Sequence, residues 1–313
     1  MNIFYQLEYY KDDKEVKNHC DKIKSIPYFI GLPAPNPRIL IPLVSPLVQA
    51  NSFALYNPSS IQGNIFKWLG KTAALSGIMN ILGRFFAAPV ETFKATDTIQ
   101  PLLNDKVLAH IESAWRKALG INDICFALSF GDPNDYRKIT ALIFDKNEKP
   151  VAFGKMGCTP QAKSLIKNER HALELMNAAD MQSATIPKML DSGGTDSSFW
   201  LLQSPLMHGH TSPNNLCDEH FNFLCGLARN TTHAIPLSSS ALYEYFQRTL
   251  KEPSLGIKKE FESERHFIEI LRNQVLALTS EKLEKQWLFT ATHGDFAPWN
   301  IRLAQGQLAL FDW

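Results

Sequence analysis

The sequence THGDFAPWNIRLAQGQLALFDW, residues 292–313, decides how the rest of this chain is read. Asn300–Leu303 and Leu308–Phe311 are short apolar runs, and the connection Ala304–Gln307 contains Gly306, a pattern that predicts a β-hairpin. Asp295 and Asn300 lie five residues apart, and Asp312 follows twelve later, after a hairpin that returns its end beside its start. Three oxygen-bearing side chains therefore converge at one edge, a donor set that suits Mg²⁺, which shares its shell with waters and substrate phosphates. Each residue taken alone reads as a turn or strand-end residue. Their combination with His293-Gly294-Asp295-Phe296 reads as a site.

Upstream, residues 205–313 are mainly helical, with apolar residues at helical spacing over 216–233 and 261–278. Before them the order is β-β-β-α-β-β. The strands are placed at 124–128, 138–144, 151–156, 188–191 and 199–202, and the helix at 161–179. Thr159 is the expected N-cap of that helix, and Pro160 suits its first position. This is an α+β arrangement, an antiparallel sheet carrying one helix. The expected division is an N-terminal region of unknown role at 1–110, a second part at 111–204 and a third at 205–313. Within the first, residues 32–60 read as short strands and turns, and 61–88 as helix. Ile65, Trp68, Leu69, Leu75, Ile78, Met79, Leu82 and Phe86 form its apolar positions, opposed by Lys67, Lys71 and Asn80. The expectation is a helix packed on its own domain. The alternative is membrane-surface association through residues 61–88, with the helix lying in the interface.

Composition narrows the function. The chain has 313 residues, 45% hydrophobic and 20% charged, which excludes wholesale disorder. Lysine plus arginine is 32 and aspartate plus glutamate 31, so no global basic field exists to hold nucleic acid. Five cysteines without a CxxC pair argue against a disulfide framework or cysteine zinc site, and a cytoplasmic location is expected. The polar N-terminus lacks the apolar core of a signal peptide. No transmembrane segment is expected: prolines interrupt the uncharged stretch 39–66, and Arg84 falls within 72–90. His208 and His210 are rival transition-metal ligands, but HGH without an HExxH motif reads as solvated loop. There is no G-x-S-x-G elbow, Walker loop or Rossmann fingerprint.

HGDFAPWNI…LALFDW resembles the catalytic segment of the aminoglycoside phosphotransferase and choline kinase-like families, which share the protein-kinase fold. It is similar to the kinase H-R-D-x-x-x-x-N loop followed by D-F-G, with Gly294 in place of Arg and Trp313 after the metal-binding Asp. The resemblance is strong over 292–313 and extends by element order back to about residue 124. It implies a two-lobe fold, with 111–204 as the sheet lobe and 205–313 as the helical lobe. It also implies ATP and Mg²⁺ as cofactors, Asp295 as the catalytic residue, and Asn300 and Asp312 as metal ligands.

It further implies a lysine on the third strand, matched by Lys155 in VAFGKMG, and a helix glutamate, matched by Glu169. Glu169 falls within the stripe Leu165, Ile166, Ala172, Leu173 and Met176, where a carboxylate needs a cationic partner. Lys155 is the expected one, with Lys163, Lys167 and Arg170 also near. The phosphate-covering loop falls at 129–136 with one glycine, Gly131, and with Asp132 and Asp135 as potential repellents of phosphate. Gln203, Ser204, Pro205 and Leu206 match the adenine-binding connection by position. The implied reaction moves the ATP γ-phosphoryl group to a hydroxyl of a small molecule: a sugar, an aminoglycoside-like compound or an amino-alcohol. The alternative is a catalytically inactive nucleotide-binding or scaffold module of the same fold. In the resembled families the helical lobe continues beyond the metal-binding Asp, so a chain truncated after Asp312 is expected.

Overall fold

The computed structural model describes residues 28–32, 38–56, 58, 60–86, 88–89, 105–131, 134–178, 184–206, 215–244, 270, 273–274, 277, 283–291, 293, 296, 300–304 and 307–310. The chain opens with β1 (Tyr28–Leu32) and β2 (Ile39–Pro42), antiparallel partners. Helix α1 (Pro46–Ser52) follows where sequence reading expected strands and turns. Its start signal is local: the Ser45 hydroxyl accepts from the Val48 amide at 3.2 Å, and Pro46 stands at the first turn. The helical pattern over 61–88 is present but divided into α2 (Ile61–Leu75) and α3 (Ile78–Phe86), before the short strand β3 (Ala88–Pro89).

Helix α4 (Asp105–Leu119) runs through residue 110, the boundary expected between the first two parts. Leu108, Ile111 and Trp115 share one face of it and are buried together against the sheet, so the helix belongs to the structure on both sides of that boundary. The predicted β-β-β-α-β-β series is observed as β4 (Ile124–Phe130), β5 (Ile139–Asp145), β6 (Pro150–Gly157), α5 (Pro160–Ala178), β8 (Met189–Gly194) and β9 (Phe199–Gln203), with the two-residue strand β7 (Ala184–Thr185) inserted after the helix. Thr159 caps α5, its hydroxyl accepting from the Ala162 amide at 3.1 Å. Downstream are α6 (Asp218–Thr231), β10 (His233–Pro236), β11 (Gln286–Phe289) and the hairpin β12 (Ile301–Ala304) and β13 (Gln307–Leu310). Most of the expected helix at 261–278 lies outside the described residues; positions 270, 273–274 and 277 are helical.

Eight strands form one mixed-origin sheet in the order β3-β1-β2-β4-β5-β6-β9-β8, with antiparallel pairing throughout. β2 pairs with β4, so the strands of the N-terminal region extend the sheet instead of standing apart from it. Strand alternation sorts its two faces. One face presents Leu40, Phe126, Leu128, Ile139, Ala141, Ile143, Met156, Trp200 and Leu202 to α4. On the other, Ile166 and Leu173 of α5 pack on Leu201, while α1 packs Val48 against Ala127, Leu142 and Phe144. Helix and antiparallel strand are mixed here in a way compatible with a protein-kinase-like fold. Among the described residues no helix is long and apolar enough to cross a membrane.

Candidate functional site

Lys155 lies on β6 opposite Leu201 of β9 and Thr140 of β5, so its side chain leaves the sheet on the face covered by α5. Helix α5 turns Ala162, Ile166, Glu169, Leu173 and Met176 inward. Their spacing is one helical stripe, and Glu169 is its only charged member. This stripe is narrower than the one expected from sequence, since Leu165 is exposed.

Lys155 and Glu169 meet in a direct ion pair, the lysine ammonium donating to one carboxylate oxygen. Both are buried, at 4% and 1% relative exposure. Taking two charges out of water is costly unless they compensate each other, and here they do. The second carboxylate oxygen has Lys138 at 3.7 Å. The other candidate cations go elsewhere: Lys163 donates to the Asp196 carbonyl, Lys167 lies over the Phe199 ring, and Arg170 pairs with Glu174. Lys138 was missed from sequence. Its signal is strand alternation: Lys138 shares a face with Thr140, and Thr140 is the cross-strand neighbour of Lys155. Two ammonium groups thus converge on one carboxylate, leaving local positive charge at the sheet face.

The loop between β4 and β5 is described except for residues 132–133. The Asn134 side chain accepts from the Tyr136 amide at 2.9 Å, and the Asp135 carbonyl accepts from the Thr159 hydroxyl. The loop is thereby tied to the start of α5. At the end of β9, Gln203 is 4% exposed, and its side-chain carbonyl oxygen has no hydrogen-bond donor among the described residues. A buried acceptor left in this state is costly and calls for a donor. The pairing with β8 continues one residue further, the Ser204 amide donating to the Lys188 carbonyl at 2.8 Å. Pro205 and Leu206 are half-buried at the same exit.

The second group of candidates is on the hairpin. β12 and β13 pair antiparallel from Ile301–Leu310 to Ala304–Gln307, the two strands of the predicted hairpin, while Gly306 lies outside the described residues. Asn300 is buried immediately before β12. Asp295 and Asp312 lie outside the described residues, as do Gly294, Trp313, His208 and His210. Their neighbours show how the segment is held. Phe296 stacks on Phe223 of α6 with centroids 5.7 Å apart, and meets His220 and His293 edge-on at 5.8 and 6.1 Å. Met176 at the end of α5, Leu227 of α6, and Ile301, Leu308 and Leu310 of the hairpin complete this core. β13 also pairs in parallel with β7, Leu308 facing Ala184. The hairpin is therefore fastened to the chain that leaves α5, the helix bearing Glu169. This parallel contact had no counterpart in the sequence reading.

The sequence model of the phosphotransferase enzyme family matches residues 157–313. The match takes in Glu169, Gln203 and the whole 292–313 segment, and begins two residues after Lys155. No curated protein matches the chain.

Proposed function

The chain belongs to the phosphotransferase enzyme family, and from that premise we propose that it transfers the γ-phosphoryl group of ATP to a hydroxyl of a small molecule such as a sugar, an aminoglycoside-like compound or an amino-alcohol. The observation that carries this reading is the buried Lys155–Glu169 pair joining the third strand of the series to its helix. On this reading residues 111–204, extended by the strands of 1–110, form one lobe, and 205–313 belong to the other.

Lys155 holds the α- and β-phosphates, and Glu169 keeps its ammonium extended toward them. Lys138 adds a second cation to the same face. Gln203 offers its buried carbonyl to a donor on the base, beside the backbone of Pro205 and Leu206. Asp295 orients the acceptor hydroxyl and takes its proton. The donor chemistry of Asn300, an amide carbonyl, and Asp312, a carboxylate, fits a hard divalent cation. Magnesium bound there would neutralise charge on the transferring phosphoryl group. The chain's own contribution is then alignment and charge stabilisation.

The test is ATP turnover across a panel of sugars and amino-alcohols, wild type against Asp295→Ala. Loss of turnover by a factor of at least about 100 is expected, the scale of a general-base contribution. Equal turnover in the two proteins would argue against this mechanism. ATP binding by the wild type without transfer to any acceptor would favour a nucleotide-binding scaffold.

A further inference from the structure

Helix α2 is packed with its faces reversed relative to an ordinary surface helix. Its small side is turned inward: Gly63 and Ala74 are buried, and Gly70 lies so close to the Phe53 ring that a Cβ there would meet it at 2.3 Å. Its bulky apolar side is turned outward. Ile61, Ile65, Trp68, Leu69 and Leu75 recur at helical spacing on one face and are 54–80% exposed. Ile78 and Ile81 of α3 continue the exposed apolar surface. Isolated exposed apolar residues are ordinary, but a contiguous face of this kind marks an interaction site.

Charge identifies what covers it. Residues 22–90 contain six lysines and arginines and no aspartate or glutamate, in a chain whose overall balance is only +1. Lys71 is exposed at the edge of the apolar face, while Lys67, one turn before it, is half-buried on the inward stripe with Gly63, Gly70 and Ala74. Burial, then Lys71, then Arg302 of the hairpin hold the Lys67 ammonium below its ordinary value, so three cations share this neighbourhood. An apolar face with an exposed tryptophan and a flanking lysine is the chemistry of a helix lying in a membrane interface. α2 has 15 residues and carries two lysines, too short and too charged to span.

We propose that α2 and the start of α3 dock the protein on the surface of a membrane containing anionic lipid. Ile61, Ile65, Trp68 and Leu69 enter the headgroup–acyl boundary, and Lys71 contacts a phosphate headgroup. This proposal is independent of the phosphotransfer reading, because its readout requires no nucleotide.

The test is flotation of the full chain with phosphatidylglycerol–phosphatidylcholine vesicles and with pure phosphatidylcholine vesicles. The wild type is expected to float with the former, and added salt to release it. Lys71→Gln should weaken partitioning by about fivefold, the scale of one surface lysine at an anionic leaflet. Trp68→Ser/Leu69→Ser should abolish it while leaving the circular dichroism unchanged. Tryptophan quenching by brominated lipid in the wild type gives a measurement free of any variant. Absence of both flotation and quenching would overturn the proposal. So would undiminished flotation of Trp68→Ser/Leu69→Ser, or a self-associated wild type that this variant returns to monomer, which would assign the face to a second copy.

Discussion

Glu169 is an acid within an apolar helical stripe, where it requires a cation, and the strand before the helix supplies Lys155. Lys138 shares the carboxylate at 3.7 Å because the β5–β6 register sets Thr140 opposite Lys155, which puts Lys138 on the same face. Lys155→Met strands the buried carboxylate with one more distant cation. It is expected to lower stability by roughly 3 kcal/mol in urea unfolding, the usual cost of removing one partner of a buried pair. Lys155→Met/Glu169→Leu should recover most of that loss, since no charge is then left buried. A second expectation concerns Cys125, whose thiol is pushed up to about 11 by burial, with Glu148 and Asp145 adding to the effect. The folded protein therefore retains this proton when the unfolded chain, near 9, has released it. Stability from this group falls as pH rises from about 9 to about 11. Cys125→Ser should flatten that part of the stability profile. At pH 8, a thiol reagent should modify exposed Cys225 and spare Cys125.

At the scale of elements, the central strands and α5 were legible because alternation, turn residues and the Thr159-Pro160 start signal agree. Thr159→Ala should cost about 1 kcal/mol in thermal or chemical unfolding, the ordinary value of an N-cap. Its hydroxyl also holds the β4–β5 loop through the Asp135 carbonyl, so the same variant should raise amide exchange at 134–136. Helix α4 was overlooked because a boundary set near residue 110 cut the Leu108–Ile111–Trp115 spacing in two. That helix lies against β6 so closely that a Cβ on Gly154 would meet the Trp115 ring at 2.5 Å. Gly154→Ala should therefore cost roughly 1–3 kcal/mol through overpacking. The β7–β13 pairing involves only two residues of β7, too short for any local pattern to announce.

At the scale of the molecule, strands from residues 28–89 and from 124–203 share one sheet, and the final hairpin is fastened beside the helix that carries Glu169. The hairpin and the α+β order were legible from periodicity; the continuity of the N-terminal strands with the sheet was not, because β2–β4 pairing spans a long and helical insertion. Asp295 and Asp312 are expected from the motif alone and lie outside the described residues, while Lys155 and Glu169 form a buried ion pair. The central claim is that this buried pair serves a nucleotide site. Calorimetric titration of MgATP into the wild type and into folded Lys155→Met tests it most directly. The account predicts binding to the wild type and at least about tenfold weaker binding to the variant, as expected when a charge-assisted phosphate contact is removed. Equal affinity in the two proteins, or no binding to the wild type, would contradict it.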